Sequence, residues 1–355
     1  MDQPDISGKA VIITGGLLDT NNAKTAHGLL RMTDRFEVIG VIDEKNAGRD
    51  SGEVVEGRAN QIPVLATIEE FMESHEKPDF AIIGMATKGG ILPKDLYPSI
   101  EAILSQGIQL VNGLHEPLAE IKPFQRAAAP HGNIIHDIRR SKTFHDLHFW
   151  TGKIQEITAT RIAVLGTDCA LGKRTTSKML EEVLRQRGHS AEMIYTGQTG
   201  WMQGARYGFL FDATPNDFVC GELEHAMYEC WKGLNPEVII MEGQSGLRNP
   251  SGPCGSEFII SGAAEGVVLQ HSPVRSKFKG MEDYPNDMPG ILDEVALIEK
   301  LGAPVIGLTI NTEEMNDEDI SRYREELSAK TNLPIVFPFK ESLDPIAEAI
   351  INLKK

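Results

Sequence analysis

The residues best equipped for chemistry lie at 166 to 176, Gly-Thr-Asp-Cys-Ala-Leu-Gly-Lys-Arg-Thr-Thr. They stand between an apolar run at 161–165 and a stretch that puts Met179, Leu180, Val183 and Leu184 on one helical face before Gly188, the expected C-cap. A glycine-rich turn from strand to helix lets successive N–H groups point inward, and the helix N-terminus and a lysine add positive charge. The chemistry is therefore phosphate binding, by Gly166, Thr167, Asp168, Gly172, Lys173, Arg174, Thr175 and Thr176. Five residues separate the two glycines, where the common loop has four. The residue after the lysine is usually Ser or Thr, whose hydroxyl coordinates Mg²⁺; here it is Arg174. A fixed guanidinium neutralises phosphate charge without a metal, so we expect no metal site and no ordinary Mg-dependent hydrolysis. Thr175 would reach a metal only if the helix started differently.

Further candidates gather at other strand ends. Glu242 tips the apolar run 238–241, in the position where Mg-nucleotide enzymes keep an acid; without metal it would accept a proton. His271 is the second candidate base. Gly243-Gln244-Ser245-Gly246 and Thr196-Gly197-Gln198-Thr199-Gly200 are glycine-flanked polar loops, placed where open α/β sheets bind ligands. Three such loops at strand ends would line one crevice. Arg139 in the cluster Arg139, Arg140 and Lys142, Arg206 past the Gln198 loop, and Arg275 in the basic run 271–280 are candidates to fork onto carboxylates. With Gln198, Thr199, Gln244 and Ser245 they make up the expected substrate contacts. Cys169 lacks an adjacent histidine and is not favoured as a nucleophile. His145 and His148 show no third metal ligand and are read as surface or core residues.

These residues need strands and helices to hold them. In the first half, β-branched runs at 11–13, 38–42, 64–65, 80–83 and 109–111 alternate with amphipathic stretches. Thr67 and Glu70 have capping-box spacing ahead of Phe71 and Met72. After a histidine- and charge-rich break at 130–155, the alternation restarts. Strands are expected at 161–165, 193–195, 238–241, 267–269, 305–308 and 335–337, with a helix after Pro215 and a last helix capped by Asp344. The rhythm gives an α/β fold of two domains, a Rossmann-like parallel sheet over 1–152 and a P-loop NTPase-like parallel sheet over 153–355. Thr14-Gly15-Gly16 and Asp43 resemble a dinucleotide fold, but G-x-G-x-x-G is absent, so the first half is expected to wall the cleft and make subunit contacts.

The totals fit this plan. A chain of 355 residues with 41% hydrophobic residues can bury two cores. A formal net charge of −16 argues against broad nucleic-acid or anionic-membrane binding, though not against a small anion in a local basic pocket. The four cysteines contain no C-x-x-C pair, and no leader or long apolar run is present, which leads us to expect a cytoplasmic homo-oligomer.

Taken together, GTDCALGKRTT, TGQTGWM followed by ARYG, and MEGQSG resemble the D-glutamate N-acetyltransferase family, and the likeness extends over essentially the whole chain. The GTD…GK loop is also similar to that of dethiobiotin synthetase. One local departure is Gln244-Ser245-Gly246, where in the family form glycine precedes serine. The resemblance implies transfer of acetyl from acetyl-CoA to the amine of D-glutamate or a similar acidic amino acid. The P-loop would hold CoA phosphates, and the partners would be these small molecules. The dethiobiotin synthetase likeness implies instead a ligase, carboxylase or kinase using ATP and Mg²⁺. A nucleotide-binding regulatory protein is the third possibility.

Overall fold

The computed structural model describes residues 5–132 and 134–353. The chain forms two compact α/β units. The first runs to Asp146 and also takes Gln198–Gly204; the second comprises Leu147–Gly197 and resumes at Ala205.

The first unit holds strands β1 (Gly8–Ile13), β2 (Phe36–Ile42), β3 (Val64–Leu65), β4 (Phe80–Ile83), β5 (Gln109–Asn112) and β6 (Ile135–Asp137), in the order β3-β2-β1-β4-β5-β6. All neighbours are parallel. Helices cover the sheet, and Val11, Ile13, Phe71, Ile83, Ile103 and Phe124 meet in its core. Helix Ile68–Ser74 starts as its sequence demands: Thr67 Oγ1 accepts from Glu70 N at 3.2 Å, and Glu70 returns an acceptor to Ala66 N at 3.0 Å. β6 falls inside the stretch read as a break in the rhythm; its three half-buried residues, Ile-His-Asp, give no apolar run to read.

The second unit holds β7 (Thr160–Gly166), β8 (Ala191–Tyr195), β9 (Tyr207–Gly208), β10 (Val238–Glu242), β11 (Gly266–His271), β12 (Val305–Ile310) and β13 (Ile335–Val336), in the order β13-β12-β11-β7-β10-β8-β9, again parallel. β10, β11 and β12 are buried along their whole length. That is why their sequences are continuous apolar runs rather than alternations. One face packs against Leu223, Met227 and Phe258; the other packs against Leu180, Leu184, Ile346 and Ile350. Each such buried side chain contributes about 1.5–3 kcal/mol. The last helix, Asp344–Asn352, is capped by Leu343, with Asp344 and Pro345 as its first two residues. The cap therefore falls one residue earlier than the sequence signal at Asp344.

β7 lies between β10 and β11, so the loops leaving these three strands are neighbours at the carboxyl edge of the sheet. Among the described residues, no helix is long and apolar enough to cross a membrane.

Candidate active site

The loop after β7 is shaped by its backbone. Ala170 and Gly172 adopt positive φ, 52° and 105°, and the helix Lys173–Gln186 begins immediately afterwards. Its first internal bond runs from Thr176 N to Gly172 O at 2.9 Å. The amides of its first turn point along the axis toward the loop, the arrangement that suits an anion. Because the helix starts at Lys173, Arg174 occupies the position where a Mg-binding hydroxyl normally stands. Thr175 is half-buried one residue further on. Thr176 is buried and donates to Gln270 Oε1 at 2.7 Å, an oxygen it shares with Thr309 Oγ1 at 2.6 Å. It therefore braces the helix against β11 and β12.

Lys173 folds back across the loop. Its Nζ donates to Asp168 O at 2.6 Å and to Ser245 O at 2.7 Å. Burial lowers its pKa from 10.5 to about 8, against the pull of nearby Cys169, Cys254, Asp168 and Glu242. A cation held by two neutral carbonyls in a desolvated place is poised to trade them for an anionic oxygen.

The Gly243–Gly246 loop, which follows β10, packs its backbone on the P-loop. A Cβ on Gly246 would lie 2.7 Å from Thr167 O and 2.9 Å from Gly166 O, and one on Gly243 would lie 2.3 Å from Val164 O. Only glycine permits this approach. Ser245, between them, has φ 24° and turns its carbonyl to Lys173. Glu242 is buried; its Oε2 accepts from Thr196 N at 2.9 Å, and Thr196 Oγ1 donates to Glu242 O at 2.7 Å. Gln244 Nε2 completes the chain by donating to Thr196 Oγ1 at 2.8 Å. Desolvation pushes the Glu242 pKa above its ordinary value, and the Thr196 amide, Arg174 and Lys173 oppose that rise.

The loop after β11 contributes His271 and Arg275. His271 Nδ1 is 2.9 Å from Thr167 Oγ1, and burial, helped by Arg275, lowers its pKa to about 4. It is therefore a neutral imidazole at pH 7. Arg275 is directed at the P-loop itself: its guanidinium donates to Asp168 Oδ2 at 3.1 Å and to Cys169 O at 2.8 Å.

The sequence-selected residues thus separate. Glu242, His271, Arg275, Gln244, Ser245 and the whole P-loop belong to the second unit, as does Arg206, which is exposed and lies over the Tyr207 ring at 5.9 Å. Arg139, Gln198 and Thr199 belong to the first. The segment 196–200, read as one glycine-rich loop, is loop only at Thr196 and Gly197; Gln198–Met202 is a short helix. Trp201 and Met202, which are apolar and buried, override the glycine signal, and the indole packs on Phe36 and under the Arg35 guanidinium. Within the first unit Arg139 donates to Gly113 O at 2.7 Å and to Gln198 Oε1 at 2.6 Å, and it lies 3.0 Å from His115 Nε2. Thr199 Oγ1 is 3.2 Å from Thr25 Oγ1. His145 and His148 fall in different units, and His148 instead pairs with Glu222 at 2.8 Å and stacks on His225. No group of three or more His, Cys, Asp or Glu able to hold a metal ion occurs among the described residues. Sequence reading placed Thr196 in a candidate loop without giving it a role and missed Asn249, whose contact with the site runs through Asp168, an acid remote in sequence.

Fold and site together define a P-loop protein in which an arginine replaces the metal-binding hydroxyl. Two family descriptions match the chain, "Domain of unknown function (DUF1611_C) P-loop domain" over residues 148–347 and "Domain of unknown function (DUF1611_N) Rossmann-like domain" over residues 44–141. The chain belongs to the DUF1611 family. It is 28% identical over 277 residues to a D-glutamate N-acetyltransferase of Pseudoalteromonas sp, covering 75% of this chain and 79% of the relative. It is 25% identical over 291 residues to a D-glutamate N-acetyltransferase of Tritonibacter scottomollicae, covering 80% and 84%. The crystal structure of a DUF1611 family protein from Anabaena variabilis superposes with a TM-score of 0.88 at 27% identity, covering 98% of this chain and all of that one. The family resemblance carried by the motifs is borne out.

Proposed function

We propose that this protein is an N-acetyltransferase that moves acetyl from acetyl-CoA to the amine of D-glutamate or a similar acidic amino acid. Two relatives with that name, similar over most of their length, support the transfer reaction. One structural observation supports the role of the loop: Arg174 stands at the second residue of the helix, beside buried Lys173. Two fixed cations and a helix N-terminus suit the diphosphate or 3′-phosphate of CoA without a metal. Gly166 to Gly172 would wrap the phosphate, with Thr167 and Asp168 shaping the loop and Thr175 at its rim.

In the reaction the acceptor's free amine attacks the thioester carbonyl. The amine proton goes to a base, the C–N bond forms, the C–S bond breaks, and the thiolate takes a proton to leave as CoA thiol. Glu242 is the proposed base. Desolvation raises its pKa toward the range in which a carboxylate accepts protons usefully near neutral pH. His271, with its pKa lowered to about 4, is a poor proton acceptor and is proposed to orient Thr167 instead. Backbone amides of the 243–246 loop would face the oxyanion. Arg206, Gln244 and Ser245, all of the second unit, are the proposed acceptor contacts. The reading includes a homo-oligomer in the cytoplasm.

The test is thiol release from acetyl-CoA with a panel of D- and L-amino acids. Turnover with D-glutamate and little with L-glutamate is expected. No thiol release with any acceptor would overturn the proposal and turn attention to Mg-ATP with small carboxylic acids.

A further inference from the structure

Asp168 sits inside the P-loop, yet its carboxylate is engaged by groups of the protein itself. It is fully buried, and both oxygens are used. Oδ1 accepts from Asn249 Nδ2 at 2.7 Å; Oδ2 accepts from Arg275 at 3.1 Å and from Lys279 N at 2.8 Å. Asn249 belongs to the loop after β10, where its own N–H donates to Gly246 O at 3.1 Å. Arg275 and Lys279 belong to the loop after β11. One carboxylate therefore ties together the three loops at the carboxyl edge of β7, β10 and β11. The same guanidinium donates to Cys169 O at 2.8 Å and lies 3.5 Å from Ala170 O.

We infer that Arg275 and Asp168 are positioning residues for the P-loop, and that Arg275 does not contact the acceptor's carboxylate. A phosphate-binding loop works when its amides converge on one side, which requires its carbonyls to face the other. Ala170 adopts φ 52°, a conformation that a residue with a Cβ holds only when its surroundings impose it. Arg275 supplies that restraint by drawing the Cys169 and Ala170 carbonyls outward, and Asp168 fixes the guanidinium where it does so. An arginine gripping three protein oxygens has its fork already filled by carboxylate and carbonyl. The consequence for specificity is that a carboxylate of the acceptor must be held by another cation; among those named above exposed Arg206 fits, whereas Arg139 is itself engaged by Gly113 O, Gln198 Oε1 and His115.

The inference rests on the loop binding a phosphate-bearing ligand, and its test separates the two claims. Arg275→Ala, Arg275→Lys and Asp168→Asn in the full-length protein would be compared by hydrogen exchange over residues 166–176 and by the KM for acetyl-CoA and for D-glutamate. Faster exchange at Asp168–Gly172 is expected in all three variants. The KM for acetyl-CoA should rise about tenfold or more in Arg275→Ala and less in Arg275→Lys, with the KM for D-glutamate within about twofold. Combining Arg275→Ala with Asp168→Asn should add little beyond either alone, because both break one clamp. Unchanged exchange together with a selective rise in the KM for D-glutamate would overturn the inference. If the wild type bound no CoA, the proposed function would fail while the exchange result still decided the role of the clamp. Arg275→Lys keeps the charge and the aliphatic stem, so it remains informative if Arg275→Ala does not fold.

Discussion

Each unit turns from its central strand into a glycine-bearing loop and then a helix, and the two turns spend their polar groups differently. After β1, Thr14-Gly15-Gly16 leads through a 3-10 turn, Asn21–Ala23, before helix Lys24–Arg31 begins. The acid at the end of β2, Asp43, is buried and consumed locally. It accepts from Thr14 Oγ1 at 2.6 Å, from Leu18 N at 3.0 Å, and from Asn46 N and Nδ2 at 3.0 Å each. A Cβ on Gly15 would meet Leu96 at 2.8 Å, so side chains fill the space beside that loop. After β7 the helix starts directly at Lys173, and a lysine and an arginine sit in its first turn. The comparison teaches that a strand, a few glycines and a helix make only a scaffold. Helix onset next to the glycine, with Lys173 and Arg174 as the first two helical residues, gives the second loop an electrostatic use that the first lacks.

The largest effect expected from breaking this contrast is at Glu242. Glu242→Gln should lower kcat by about 10²- to 10⁴-fold, the range for loss of a general base; near-normal turnover would remove it from that role. Since the base must be ionised to act, kcat/KM should rise with pH through a pKa above the ordinary 4.5, and Glu242→Gln should flatten that limb.

Next comes Lys173. Lys173→Ala should weaken CoA binding about 10- to 100-fold, the worth of a charge-assisted hydrogen bond of ~1.5–3 kcal/mol, measured by calorimetry. The counterpart in the first unit should behave oppositely. Asp43→Ala strands several buried donors and should cost ~1–3 kcal/mol of stability in a denaturant melt, with CoA affinity unchanged. A large loss of CoA affinity in Asp43→Ala would erase the distinction between the loops.

Gly246→Ala sharpens the same point. A methyl group 2.7 Å from Thr167 O must push the P-loop or its neighbour aside, so affinity for CoA should fall and stability should drop by ~1–3 kcal/mol. The smallest effect is pH-dependent. The Lys173 pKa lies near 8 in the free protein, and an anionic phosphate would raise it. The bound state then holds more protons than the free state above pH 8, so CoA affinity should be flat below that pH and fall as pH rises through it. Lys173→Ala should lose this slope.

Much of this was legible in the sequence because the relevant signals are local. The P-loop residues, the acid tipping β10 and the glycines of the 243–246 loop follow directly from strand–turn–helix patterning. β9 and β6 escaped because Tyr207-Gly208 and Ile135-His136-Asp137 are half-buried and form no apolar run, unlike the similarly short Val64–Leu65 and Ile335–Val336. The helix Gln198–Met202 was hidden because Thr-Gly-Gln-Thr-Gly reads as a turn, whereas burial of Trp201 and Met202 decides its conformation. The use of Arg275 was also not legible. Its partner Asp168 lies 107 positions away, and spacing cannot tell a guanidinium that binds ligand from one that braces a loop.

The most direct test of the metal-free phosphate site is calorimetric titration of the full-length protein with CoA in EDTA and again in excess Mg²⁺. The account predicts binding of equal strength in both, abolished or strongly weakened in Lys173→Ala. Binding of ATP only with Mg²⁺, with no heat from CoA in either buffer, would contradict it.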